Sequence, residues 1–170
     1  MVTSDAADWN RFVLDDSWVY QWGRVERLLD GVRNVYAGMA GGTVAAVDIV
    51  QGFFESIHHL KDWLKNDPKV AIGNLAIEDF VTNNIELRLC ADLANASKHL
   101  TLNQSHTGDI GTGIKRNDVT VKMGTGAAEH HFYIESNGVE HDVLDVAEAA
   151  VTQWEGFLTG KGLLKPGAAI

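Results

Sequence analysis

Apolar residues recur along the first part of the chain at alternating steps of four and three, which is the spacing of one helix face. In the first segment these positions are Trp18, Trp22, Val25, Leu29, Val32 and Tyr36. Ser4 and Asp5 suit the start of such a helix, and Gly38 suits its end. The pattern therefore predicts a first long helix over about residues 5–37.

Two further helices are predicted over about residues 43–65 and 74–100. The earlier one has a single apolar face, formed by Val50, Phe53, Ile57, Leu60 and Leu64. The later one has two apolar arcs, formed by Ile85, Leu89, Leu93, Ala96 and Leu100 and by Leu87, Cys90, Ala91 and Ala94. Because a helix that is apolar on two sides is buried on two sides, the third helix is expected to be central.

The pattern changes after Leu100, where Gly, Thr, Asn and Ser dominate up to Asn117 and predict a loop. Alternating apolar residues and an Asn137-Gly138 turn then predict an antiparallel β-meander over about residues 118–142. A last helix over about residues 145–159 would begin with a capping box made by Asp145 and Glu148. The expected fold class is mainly α: an up-and-down bundle of four long helices, with the meander inserted before the last.

Length and composition fit one domain over residues 1–170, since 45% of the residues are hydrophobic and five are Trp. The longest apolar run, 44–47, is far shorter than a membrane span, and the N-terminus lacks the features of a signal peptide. The single cysteine, Cys90, suits a reducing compartment. A cytoplasmic location with no membrane partner is therefore expected.

The balance of 14 Lys and Arg against 23 Asp and Glu gives a formal net charge of −9. This charge argues against broad binding to duplex DNA, whose backbone is attracted to basic surfaces. It leaves room for a small RNA site built from a few local cations.

Polar residues on the third predicted helix form a stripe, with Arg88, Asp92, Asn95 and His99 at steps of four, three and four. At 100° per residue these four side chains fall within about 60° of the helix circumference. They combine a fixed cation, a carboxylate, an amide and a group that titrates near neutral pH, which suits acid–base chemistry. The structural alternative is a buried hydrogen-bonded network, which is commoner than an active site.

A second stripe on the preceding helix consists of Gln51, Glu55, His58 and Asp62 and is by default a solvated face. If the two stripes faced each other, His58, Asp62, Asp92 and His99 could hold a divalent transition metal and support a metal-dependent hydrolase. No HExxH motif accompanies them, so no metal and no other cofactor is expected.

Two segments, Asp92–His99 and Phe53–Leu64, resemble the HEPN (higher eukaryotes and prokaryotes nucleotide-binding) superfamily, and the resemblance extends over about residues 43–100. It is strongest to small bacterial and phage proteins at the edge of that superfamily. It implies a bundle of four or five helices, often a homodimer, and in many members metal-independent endoribonuclease activity. The family motif is an arginine, a polar residue and a histidine near a helix end, completed across the dimer interface.

Asn95 and His99 fit the polar and histidine positions of that motif, whereas the arginine position falls on Ala94. The resemblance thus implies that His99 acts as general acid or base on RNA or a nucleotide and that Asn95 orients the phosphate or His99. Arg88 or Lys98 would supply the positive charge, and Asp92, Asp62 and His58 would support the site. The alternative is a non-catalytic dimerisation or protein-binding module.

Overall fold

The structure is a computed structural model that describes residues 17–99 and 102–165. In chain order its elements are α1 (Trp18–Tyr36), α2 (Thr43–Asn66), α3 (Asn74–Asn83), α4 (Ile85–His99), β1 (Gly113–Val121), β2 (Ala128–Ser136), β3 (Val139–Asp142) and α5 (Val143–Gly160). As predicted, the fold is mainly helical with a small antiparallel sheet, whose strand order is β1-β2-β3. None of the described helices combines the length and apolar character that a membrane crossing requires.

The helices bury the faces that the apolar spacing predicts. α1 and α2 pack along each other, with Trp22 and Val25 of α1 and Phe53 and Leu60 of α2 almost fully buried. α4 lies between α2 and α5 and buries residues of both predicted arcs, including Leu87, Leu89, Cys90 and Leu93. The third predicted helix therefore contributes a central element, in which burial also raises the pKa of the Cys90 thiol.

The prediction of one helix over residues 74–100 is wrong, because the chain breaks at Asn84 into α3 and α4. Asn84 has an extended backbone (φ −115°, ψ 119°), and its Nδ2 donates to the Phe80 carbonyl oxygen at 2.6 Å. Its own carbonyl accepts from the Arg88 N–H at 3.1 Å, which starts α4. Asparagine competes for backbone groups in this way, so it ends one helix without disturbing the apolar period. Leu100 and the predicted start of the first helix lie outside the described residues.

The sheet begins earlier than predicted, since β1 starts at Gly113 and the segment up to Asn117 is strand rather than loop. A β-bulge between Ile114 and Arg116 interrupts the alternation there, which is why the pattern did not reveal the strand. The turn between β2 and β3 is the predicted one. Asn137 and Gly138 both have positive φ, 52° and 72°, as a type I′ turn requires.

The last helix begins at Val143, and its N-cap is Asp142 rather than Asp145. The Asp142 carboxylate accepts from the Leu144 and Asp145 N–H groups at 2.8 and 3.2 Å. The predicted capping box is therefore wrong, and Glu148 pairs with Arg33 of α1 instead, at 3.0 Å. The cap lies three residues earlier because β3 runs into the helix without a loop.

Tyr36, at the end of α1, fastens the sheet to the helices. Its hydroxyl donates to the Phe132 carbonyl at 3.1 Å and accepts from the Phe132 and Leu144 N–H groups, both at 3.2 Å. Burial raises the pKa of this hydroxyl, so it stays protonated and able to donate. Phe132 and Ile134 of β2 complete the attachment by entering the hydrophobic core.

Candidate functional site

The polar stripe of α4 is divided between the interior and the surface. Asp92 is fully buried and Arg88 is partly buried, whereas Asn95 is partly exposed and His99, at the end of the helix, is exposed. The two halves of the stripe therefore differ in what they can do. Asp92 is enclosed within the fold, whereas the open half of the stripe can contact a ligand.

Asp92 is the anchor of the segment that follows α4. Its carboxylate accepts from the Ser105 hydroxyl at 2.6 Å and from the His106 N–H at 2.6 Å. It also accepts from the N–H and hydroxyl of Thr107, at 3.0 and 2.7 Å. Four donors satisfy a buried carboxylate, so Asp92 is a structural residue that positions this segment.

The far end of the same segment is tied to the sheet. The Thr107 and Thr112 hydroxyls are hydrogen-bonded at 2.9 Å, and the Thr112 and Ser136 hydroxyls are hydrogen-bonded at 2.7 Å. The Asn137 N–H donates to the Asp109 carboxylate at 2.6 Å, and this bond, together with one from the Gly111 N–H, lowers the pKa of Asp109. Residues 105–112 are thus held between α4 and the β2–β3 turn.

A pocket of about 250 Å³ opens where this segment leaves α4, and it is lined by Asn95, His99, Leu102, Asn103 and Gln104. Its wall is mostly amide and imidazole, with one apolar side chain. The volume lies slightly below the range of about 300–1,000 Å³ for pockets that enclose a drug-sized ligand, so it suits a smaller group such as a ribose phosphate. The sequence pattern identified Asn95 and His99 but missed Asn103 and Gln104, whose only signal is a pair of adjacent amide residues a few positions after the end of a helix.

The nearest cation on α4 is Lys98, an exposed side chain adjacent to His99 that forms no ion pair among the described residues. Arg88 lies eleven residues before His99, which is about 16 Å along the helix axis. The structure therefore does not bring Arg88 to the His99 pocket of the same chain. Arg88 Nε is buried and finds no hydrogen-bond partner among the described residues.

Only part of the second stripe, on α2, contacts α4 or the segment that follows it. The Ser97 hydroxyl donates to the Glu55 carboxylate at 2.7 Å, and the His58 ring lies edge-on to that of His106, 5.9 Å between centroids. Burial lowers the pKa of His58, the positive charge of Lys61 adds to this effect, and together with weaker effects of other neighbouring groups they bring it to about 4. His58 is therefore a neutral packing residue at physiological pH.

The four proposed metal ligands do not form one set. Asp62 pairs with Lys65 at 3.3 Å, Asp92 is occupied by the following segment, and His99 lies at the exposed helix end. Across residues 17–99 and 102–165, no three His, Cys, Asp or Glu side chains are grouped so that they could hold a metal ion. The structure thus gives no support to the metal-dependent hydrolase.

No protein family, curated protein or solved structure matches this chain. Any function accordingly rests on the chemistry of its own side chains. At the pocket these provide amide donors and acceptors, one imidazole and a neighbouring ammonium. Such groups can bind a phosphodiester and move a proton.

Proposed function

We propose that this chain is a HEPN-like domain that binds RNA at the His99 pocket and cleaves it without a metal ion. The observation that carries the proposal is the placement of His99 and Asn95, which line an open polar pocket while Asp92 of the same stripe is buried. We further propose that the chain is one cytoplasmic domain, in which the helices form a bundle and the sheet is inserted before the last helix.

In the proposed reaction the His99 imidazole accepts the proton of a ribose 2′-hydroxyl. The 2′-oxygen attacks the adjacent phosphorus, the bond from phosphorus to the 5′-oxygen breaks, and that oxygen takes a proton from water. The products are a 2′,3′-cyclic phosphate and a 5′-hydroxyl. Lys98 stabilises the charge that builds up on the phosphoryl oxygens, and the Asn95 amide orients the phosphate.

Single-stranded RNA is the substrate that this pocket suits best. Its 2′-hydroxyl serves as the nucleophile, and its unpaired backbone can enter a pocket too small for a duplex. The net charge of −9 works against any partner that must spread over a wide surface. A local contact at one phosphate avoids that repulsion.

A second candidate is RNA or nucleotide binding without cleavage. It is favoured by the distance between Arg88 and His99, since without Arg88 the pocket has only Lys98 as a neighbouring cation on α4. The two candidates share the same pocket and differ in whether the bound phosphodiester is broken.

To test the proposal, purified protein is incubated with a fluorescent single-stranded RNA in the presence of EDTA, and cleavage of the RNA is measured. We expect cleavage by the wild type and a loss of about 100-fold or more in His99→Ala, the usual effect of removing a general acid or base. His59→Ala, an exposed histidine on α2, serves as the matched control and should cleave normally. Equal cleavage by His99→Ala and the wild type would rule the proposal out.

Binding and folding measurements separate the remaining outcomes. Because His99 is exposed, His99→Ala should melt within about 1 °C of the wild type, which follows from a stability change near zero. Lys98→Ala should weaken RNA binding, as expected for loss of a phosphate contact. A wild type that binds RNA through Lys98 yet leaves it intact would establish the second candidate instead.

A further inference from the structure

The outer edge of β1 has no strand partner among the described residues. The Lys122 N–H donates to the Ala127 carbonyl at 2.9 Å, so Lys122 directs its backbone groups towards β2. Because these groups alternate sides along an antiparallel strand, Thr120 and Asp118 also face β2. Val119 and Val121 therefore direct their N–H and carbonyl groups to the open edge.

This edge is also apolar on one face. Val119 is 48% exposed, Val121 is 62% exposed, and Met123, just beyond the strand, is 98% exposed. The two valines share the face of the sheet that carries the buried His130, since each lies opposite a β2 residue of that face. A strand of nine residues without proline, with open backbone groups and exposed valines, is a template for pairing with another chain.

We infer that the occupant is a second copy of this chain, whose β1 pairs antiparallel with the first about a two-fold axis at Thr120. In this register Val119 of each copy lies opposite Val121 of the other, and both residues have their backbone groups directed to the shared edge. On the other face Asp118 of each copy lies opposite Lys122 of the other copy, so the interface contains two such pairs. Apolar and oppositely charged cross-strand pairs both stabilise a sheet.

The neighbouring registers are less favourable. An axis at Val119 places Arg116 opposite Lys122, and an axis at Asp118 places that carboxylate opposite its own copy, so both create like-charge pairs. An axis at Asn117 leaves both valines without apolar partners. An axis one residue beyond Thr120 moves Asp118 opposite the turn that follows β1 and loses both charge pairs. Only the Thr120 register matches valine with valine and acid with base.

The proposed pairing is compatible with the contacts inside one copy. Asp118 pairs with Arg116 and Lys122 pairs with Glu129, yet the Asp118 and Lys122 side chains remain 52% and 57% exposed. They can therefore take part in a second ion pair across the edge. The result is a six-stranded sheet in which the exposed valines of the two copies pack side by side.

Replacing the charged residues at the proposed edge by residues of opposite charge tests the pairing, and analytical ultracentrifugation measures dimer formation. Asp118→Lys and Lys122→Asp each turn two attractive cross-strand pairs into repulsive ones, and each should raise the dimer dissociation constant about tenfold or more. The variant with both changes restores the pairs and should dimerise like the wild type. An equal mixture of the two single variants should form heterodimers for the same reason.

Two controls isolate the effect of the edge. Asp79→Lys and Lys69→Asp alter net charge by the same amounts at exposed helical and loop positions and should leave dimerisation unchanged. Val121→Pro removes a donor from the open edge without removing a bond to β2, so it should abolish the dimer while circular dichroism reports an unchanged fold.

A monomeric wild type would overturn the inference, and so would a dimer that Asp118→Lys, Lys122→Asp and Val121→Pro all leave intact. Either result is independent of RNA cleavage, because Asp118, Lys122 and Val121 do not line the His99 pocket.

Discussion

Asp92 determines the shape of the candidate site although it contacts no part of the pocket. Its buried carboxylate holds Ser105, His106 and Thr107, and this fixes the direction in which the chain leaves the pocket lined by Asn103 and Gln104. His99, seven residues further along the same stripe, has the opposite character, since it is exposed and available to a ligand. One helical stripe thus contains a positioning residue and a candidate catalytic residue.

Replacing Asp92 by Ala should lower the free energy of unfolding by about 3 kcal/mol, because it leaves several partly buried donors without an acceptor. Urea denaturation followed by circular dichroism measures this loss. Asp79→Ala, at an exposed position on α3, is the matched control and should stay within about 0.5 kcal/mol of the wild type. Equal stabilities of the two variants would show that the Asp92 network does not hold the segment in place.

His58 makes stability depend on pH. Its pKa in the folded chain is about 4, below the value of about 6.5 expected when unfolded, so only the unfolded state gains a proton between these values. Stability should therefore fall as the pH is lowered from about 6.5 to about 4, by up to about 3 kcal/mol from this group. His58→Gln should remove that part of the decline in urea titrations at several pH values, whereas His59→Gln should retain it. A decline of the same size in His58→Gln would assign it to other groups.

At the scale of whole elements, backbone conformation decides what each glycine contributes. Gly138 lies at φ 72° in the β2–β3 turn, where alanine is strained, so Gly138→Ala should lower stability by about 1 kcal/mol. Gly156 lies inside α5, and a Cβ there meets nothing within 4 Å. Gly156→Ala should therefore raise stability by about 0.5–1 kcal/mol. Thermal unfolding of both variants checks the prediction, which fails if the two melting temperatures shift in the same direction.

Most elements could be predicted from the spacing of apolar residues, because burial of a helix face imposes a period that spans many residues. The errors fall where a single residue decides the structure. Asn84 ends a helix through one side-chain bond, and the bulge after Ile114 hides the start of β1. Asp142, instead of Asp145, caps the last helix because the preceding strand leaves no room for a loop. Such local changes do not alter the long-range period.

Only part of the candidate site could be predicted from the sequence. Periodicity places Asn95 and His99 on one face of a helix, but whether that face is open depends on how a later segment folds back. That segment is directed by donors 13 to 15 residues beyond Asp92, a contact that no local pattern encodes. Asn103 and Gln104 enter the site only through this tertiary arrangement.

For the whole molecule, charge restricts where RNA can approach. A second surface pocket, of about 340 Å³, contains Glu86, Glu140, Asp142 and Asp145 among its lining residues and would repel a phosphate backbone. Glu86 and His99 lie on the same helix, thirteen residues or about 20 Å apart. The acidic pocket and the His99 pocket are thus well separated on α4, and RNA is expected only at the His99 end.

The most direct measurement is an NMR titration of the ¹⁵N-labelled protein with a short RNA whose 2′-hydroxyls are methylated, which binds without being cleaved. We expect chemical shift changes concentrated at Asn95, Lys98, His99, Asn103 and Gln104, and their loss when the titration is repeated with His99→Ala and Lys98→Ala combined. Shifts that are absent, or that fall on residues remote from the His99 pocket, would contradict the proposed site.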